Sequence, residues 1–235
     1  MRARAILLLC LAILFALTPL MLPSFDGYDP EDFPVQVLRP SVQPAGYAFS
    51  IWLVIYAGLI LHAGYGLLRR ADDPVWDRPR LPLMAALVLG TTWVALAEDQ
   101  PVAATVTILI MLAAALTAVL RTARADRLWL MPPIALLAGW VTAAAGAASG
   151  VTMVGLGWLT DTASAVVCIL GVLAIAVAMQ LRLGRVPEYG AAVVWALVGI
   201  TVANWGLNAP VAWLALAGTA VMGAVTVVAG RNQIP

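Results

Sequence analysis

Residues 44–56 read Pro-Ala-Gly-Tyr-Ala-Phe-Ser-Ile-Trp-Leu-Val-Ile-Tyr. Proline and glycine open an apolar helical run. Phe49, Trp52 and Tyr56 then recur at spacings of three and four, so one helical face carries three aromatic rings. The surrounding chain is mostly aliphatic and offers few groups for polar chemistry. This face and whatever it meets are therefore the first place to look for a specific role.

Working outward, the class follows from composition. Hydrophobic residues make up 63% of the 235 residues and charged residues 11%, far from the soluble norm. Apolar runs cover roughly 5–22, 45–68, 81–97, 101–120, 129–149, 162–182, 189–206 and 209–229. Each is about long enough to cross a ~30 Å hydrocarbon core at ~1.5 Å per residue. The expectation is an all-α integral membrane protein with about eight transmembrane helices and no soluble domain. The runs are continuously apolar, not alternating, which excludes a β-barrel.

The charges check the count. Every basic residue is arginine. Twelve of the thirteen (Arg2, Arg4, Arg69, Arg70, Arg78, Arg80, Arg121, Arg124, Arg127, Arg182, Arg185 and Arg231) fall on one side of an eight-span chain; only Arg39 falls on the other. The positive-inside rule then places both termini in the cytoplasm. The arginine-only, alanine-rich composition suggests a bacterial source, hence the inner membrane. The first run is long for a signal peptide and lacks a small-x-small cleavage site, so it is read as a retained span. Cys10 and Cys168 lie in different spans and suit neither a disulfide framework nor a zinc site.

The run at 129–149 carries Gly139, Ala143 and Ala147, a small residue every fourth position. Such a face lets helix backbones approach closely and marks a central helix. Its bulky Trp140 must then fit a gap between neighbours.

The stretch at 44–56 and this small-faced helix together resemble the TspO/MBR family, the tryptophan-rich sensory and translocator proteins. Pro44, Gly46, Tyr47, Phe49, Trp52 and Tyr56 supply its first-helix pattern, with Tyr47 where tryptophan is usual. Thr91-Thr92-Trp93 stands where the family has N-x-x-W, with Gly90 in the asparagine position. Pro132-Pro133 and Trp140 resemble its proline-led fourth helix. The resemblance implies a five-helix TspO-like core over 44–182. A first span and acidic loop (1–43) precede it, and two additional helices (183–235) follow. It also implies a ligand site made by Tyr47, Phe49, Trp52, Tyr56, Trp93 and Trp140. The expected ligand is a porphyrin or other tetrapyrrole, or a sterol-like lipid. Porphyrin or haem would be a non-obligatory guest, and dimerisation is expected. The family loop after the first core helix lids its pocket, which makes Trp76 a candidate cover.

Without the resemblance, the same rings read as groove filling between helices. His62, the only histidine, reads as a hydrogen-bond partner for a neighbouring helix more readily than as an axial haem ligand. No nucleophile–base pair, metal cluster or phosphate loop is legible, and nothing points to nucleic acid. Photochemical breakdown of a bound porphyrin needs only a ligand and nearby rings and stays open. The partners expected are membrane lipid and a hydrophobic small molecule. A sensory or regulatory binding protein is the leading reading. The alternatives are a transporter of a small hydrophobic solute, with Thr142, Gln180 and Asn204 as its intramembrane polar groups, and a scaffold subunit without ligand.

Overall fold

Apolar runs of this length leave the backbone no partner but itself, so each closes into a helix. The protein, seen in a computed structural model, is described over residues 1–21, 27–126 and 128–231. Its helices are α1 (Arg2–Met21), α2 (Ile51–Arg69), the short α3 (Pro74–Asp77), α4 (Arg80–Asp99), α5 (Pro101–Arg121), α6 (Met131–Gly155), α7 (Asp161–Leu183), α8 (Pro187–Asn204) and α9 (Ala209–Arg231). Among the described residues all regular structure is helical. Seven of the eight long helices are long and apolar enough to cross a membrane. The exception is α8, whose 18 residues include Glu188 in the first turn and end on Asn204. At about 1.5 Å per residue it is also a little short for the hydrocarbon core.

Two boundaries differ from the sequence reading. The helix carrying the aromatic face begins as a tighter 3₁₀ turn over Gly46–Ser50 before α2 starts at Ile51. The small-faced helix runs on to Gly155, because its C-terminal turns are themselves packed. Val35 N–H donates to the Gly155 carbonyl at 2.9 Å, so the connecting loop covers the helix end.

α6 is the axis. Its span is 67% buried, against 28–44% for the other candidate spans. α5, α7 and α8 pack along it and α2 touches it; α1 lies between α2 and α4, and α9 covers α7 and α8. The small residues of α6 explain this. A Cβ at Gly139 would stand 3.0 Å from the Ala192 Cβ of α8. One at Gly150 would stand 2.8 Å from Val42 of the long loop. Neither contact leaves room for a side chain.

Polar contacts close each end. At the arginine end, Arg4 pairs with Asp77 at 2.7 Å and Arg70 with Asp126 at 2.8 Å. Arg124 donates to the Leu183 carbonyl at 2.9 Å, and Arg185 to the Gly230 carbonyl at 3.2 Å. The arginine-bearing segments therefore share one end of the bundle, as their sequence positions require. Arg80 is 1% exposed. It donates to the carbonyls of Arg70 and Ala71, each at 2.8 Å, and pairs with Asp77 at 3.2 Å. It thus satisfies carbonyls left over at the end of α2.

Trp76 is equally buried, stacked on His62 with centroids 5.1 Å apart, and donates its indole N–H to Asp126 at 2.9 Å. His62 Nδ1 meets the Trp129 carbonyl at 2.8 Å, and Trp129 stacks on Tyr65. The aromatic residues at this end are thus committed to one another.

Arg80→Ala should lower stability in detergent by roughly 2–6 kcal/mol, chiefly because the Arg70 and Ala71 carbonyls lose their donor at about 1–3 kcal/mol each, while Asp77 keeps Arg4. The Asp126 carboxyl is held below its ordinary range, first by its hydrogen bonds from Arg70 and then by that from Trp76. A carboxyl depressed on folding stabilises the native state above its unfolded pKa, about 3.9. That contribution is lost as pH falls through the lower folded value. Acid titration below about pH 4 should therefore shift the Trp76 emission, and Asp126→Asn should remove that transition.

Candidate ligand-binding site

An apolar cavity of about 320 Å³ lies between α1, α2, α4, α5 and α6. Trp52 and Tyr56, one turn apart on α2, stack at 5.3 Å with an interplanar angle of 15°. Trp140 of α6 meets Trp52 and Phe49 edge-on, each at 6.0 Å. Trp93 of α4 completes the wall. A narrower pocket of about 60 Å³ adjoins this cavity toward the acidic end and shares Phe49, Trp93 and Trp140 with it. Ala143, Ala144, Ala147 and Ala148 form its α6 side. The small face of α6 therefore does two things: it admits neighbouring helices and it leaves open space beside Trp140.

The long loop roofs this space. Gly27, Tyr28, Gln43 and Pro44 line the narrower pocket. Tyr28 lies 6.4 Å from the Trp93 ring, and its hydroxyl meets Thr105 at 3.3 Å. Thr105 in turn meets Thr152 at 2.7 Å. Burial pushes the Tyr28 phenol above its ordinary range. Trp76 lines neither space. The cover is the acidic-end loop before α2, and the loop after α2 lies at the opposite end of the bundle.

Five of the six aromatic residues expected from the sequence thus converge. Tyr47 stands apart: it is 46% exposed and meets Trp195 edge-on at 5.5 Å. Lying two residues before Phe49, it is turned about 160° from that ring in an α-helix and about 120° in a 3₁₀ turn, so either geometry takes it off the face that Phe49 joins.

Phe15 of α1 was not among the expected residues. It is 3% exposed and sits edge-on to both Trp52 (5.7 Å) and Tyr56 (5.1 Å). Its seat is Gly90, where a Cβ would lie 2.5 Å from the Phe15 ring. The only sequence signal was a lone aromatic residue in a leucine-rich span. Leu53 lines the cavity yet is 73% exposed, so the cavity opens toward the lipid-facing surface beside α2.

Two electrostatic facts bear on what could bind. Trp140 is 2% exposed, and its indole N–H has no hydrogen-bond partner among the described residues. An unpaired buried donor is costly, and a ligand acceptor atom would relieve it. Among the described residues no charged side chain lines either space. The lining suits a flat apolar group, whereas His62 lies outside and could not ligate an iron held there.

A family model described as TSPO-like protein matches residues 5–228. This chain belongs to the TSPO-like family. The matched range of this TSPO-like protein runs beyond 44–182 in both directions and takes in α1 with Phe15. The group is associated with binding and sensing hydrophobic ligands. No curated protein and no solved structure gives a match.

Gly90→Ala should force Phe15 from its seat between Trp52 and Tyr56. Overpacking of this kind costs about 1–3 kcal/mol and should appear as a lower melting temperature. Phe15→Ala in the same background should recover part of the loss.

Proposed function

We propose that this TSPO-like protein binds a flat hydrophobic ligand inside the bilayer, a tetrapyrrole or sterol-like lipid, and serves a sensory or regulatory role. The observation that carries the reading is the convergence of Phe49, Trp52, Tyr56, Trp93 and Trp140 on one apolar cavity, with the Trp140 indole N–H unpartnered among the described residues. Rings meeting edge-on leave faces on which a planar guest can stack, each such contact contributing about 0.5–1.5 kcal/mol beyond area burial. The volume lies near the lower end of ordinary ligand sites, about 300–1,000 Å³. The cavity's opening beside Leu53 suits a guest that partitions from lipid.

Protoporphyrin and a sterol are the two probes. Either should quench or shift tryptophan emission saturably. Trp140→Phe keeps a ring but removes the N–H, and loss of one hydrogen bond at about 1 kcal/mol should weaken binding several-fold. Trp52→Ala should weaken it further. Unchanged titrations in both variants would remove this cavity as the site.

A further inference from the structure

A second cleft, of about 510 Å³, lies at the acidic end, separated from the aromatic chamber by Gln43 and Pro44, which line both. Its wall is polar. Ser41 donates its backbone N–H to Asp161 Oδ1 at 2.9 Å and its hydroxyl to Oδ2 at 2.5 Å. Asn204 Nδ2 donates to the carbonyls of Ser41 and Ile200, each at 2.8 Å. Asn208 Nδ2 donates to the hydroxyls of Ser41 and Thr162, each at 2.9 Å. Both asparagines have thus used their amino hydrogens within the protein. What they have left to offer the cleft are amide oxygens, beside an Asp161 carboxylate that has accepted one hydrogen on each oxygen.

Arg39 stands on the same wall. It is the one arginine on the acidic side of the chain, and it is exposed. It forms no ion pair with any described carboxylate, although Asp29, Glu31, Asp32, Glu98, Asp99 and Asp161 all belong to this end. Among the described residues the cleft therefore presents a guanidinium without a carboxylate partner and, separately, a group of acceptor oxygens. Its rim is apolar: Leu38 is 84% exposed and Leu207 72%. Exposed Trp205, two residues before Leu207, and exposed Trp213 in the second turn of α9 lie 5.6 Å apart, as tryptophans do at a membrane interface.

We propose that this cleft is a headgroup site for a zwitterionic phospholipid bearing a primary ammonium, phosphatidylethanolamine by chemistry. The phosphate pairs with Arg39, the ammonium donates to Asp161 and the asparagine oxygens, and the first carbons of the chains lie over Leu38 and Leu207. Guanidinium recognises phosphate with parallel N–H bonds. A quaternary choline head could not donate to the acceptors, and a glycerol head would bring no cation to Asp161. Ser41 holds the roof of the aromatic chamber against α7 and α8, so a lipid seated here braces that roof. The proposal is independent of what the chamber binds.

The test is native mass spectrometry of the full chain, released from vesicles of equal phosphatidylethanolamine, phosphatidylglycerol and phosphatidylcholine. The wild type should retain phosphatidylethanolamine preferentially. Arg39→Gln should reduce that retention about tenfold, as expected for one lost charge-assisted hydrogen bond, while melting like the wild type; Arg39→Lys should recover part of it. Equal retention of the three lipids, or unchanged retention in Arg39→Gln, would overturn the site. Capture of soluble phosphoethanolamine as tightly as the lipid would overturn the lipid assignment in favour of a water-soluble zwitterion.

Discussion

The fold depends on close backbone approach along one helix. In a bilayer, lipid tails compete equally for apolar side chains, so helices associate where small residues let backbones meet. α6 supplies those positions. Gly139 receives α8, while Gly150 and Gly155 receive Val42 and Phe33 of the long loop. Remove those glycines and neither α8 nor the loop could sit where it does. The chamber they enclose would lose its α8 wall and its roof.

The two bundle ends solve the same problem by different chemistry. Helix ends leave carbonyls and amides that lipid cannot satisfy. At one end arginines donate to those carbonyls directly, Arg80 from a fully buried position. At the other, Asp161, Asn204 and Asn208 gather around Ser41 and tie the loop to α7, α8 and the connection before α9. Between these tied ends the small side chains of α6 leave open space beside Trp140, and that is where the apolar cavity lies.

α1 has a part that its composition conceals. It separates α2 from α4 and places Phe15 against Trp52 and Tyr56. The family match from residue 5 onward includes this helix. The aromatic wall is therefore a joint product of α1, α2, α4 and α6, and the ring stack on α2 alone would be only half enclosed.

Helix number, approximate boundaries and the gathering of arginines at one end were legible because hydrophobic length and charge are local properties that the bilayer reads directly. So was the central place of α6, since small residues at every fourth position have a specific use in lipid. The face formed by Phe49, Trp52 and Tyr56 followed from helical spacing, and Trp93 and Trp140 from their resemblance to family positions. Tertiary structure alone gave Tyr47 its partner, Trp195 of α8, because the two rings lie on elements far apart in the chain. It alone decided that the cover is the acidic-end loop with Tyr28, because a loop's path is set by the surfaces it lands on. It alone paired Phe15 with Gly90, because a ring and the vacancy that seats it lie on different helices and leave no shared mark in the sequence.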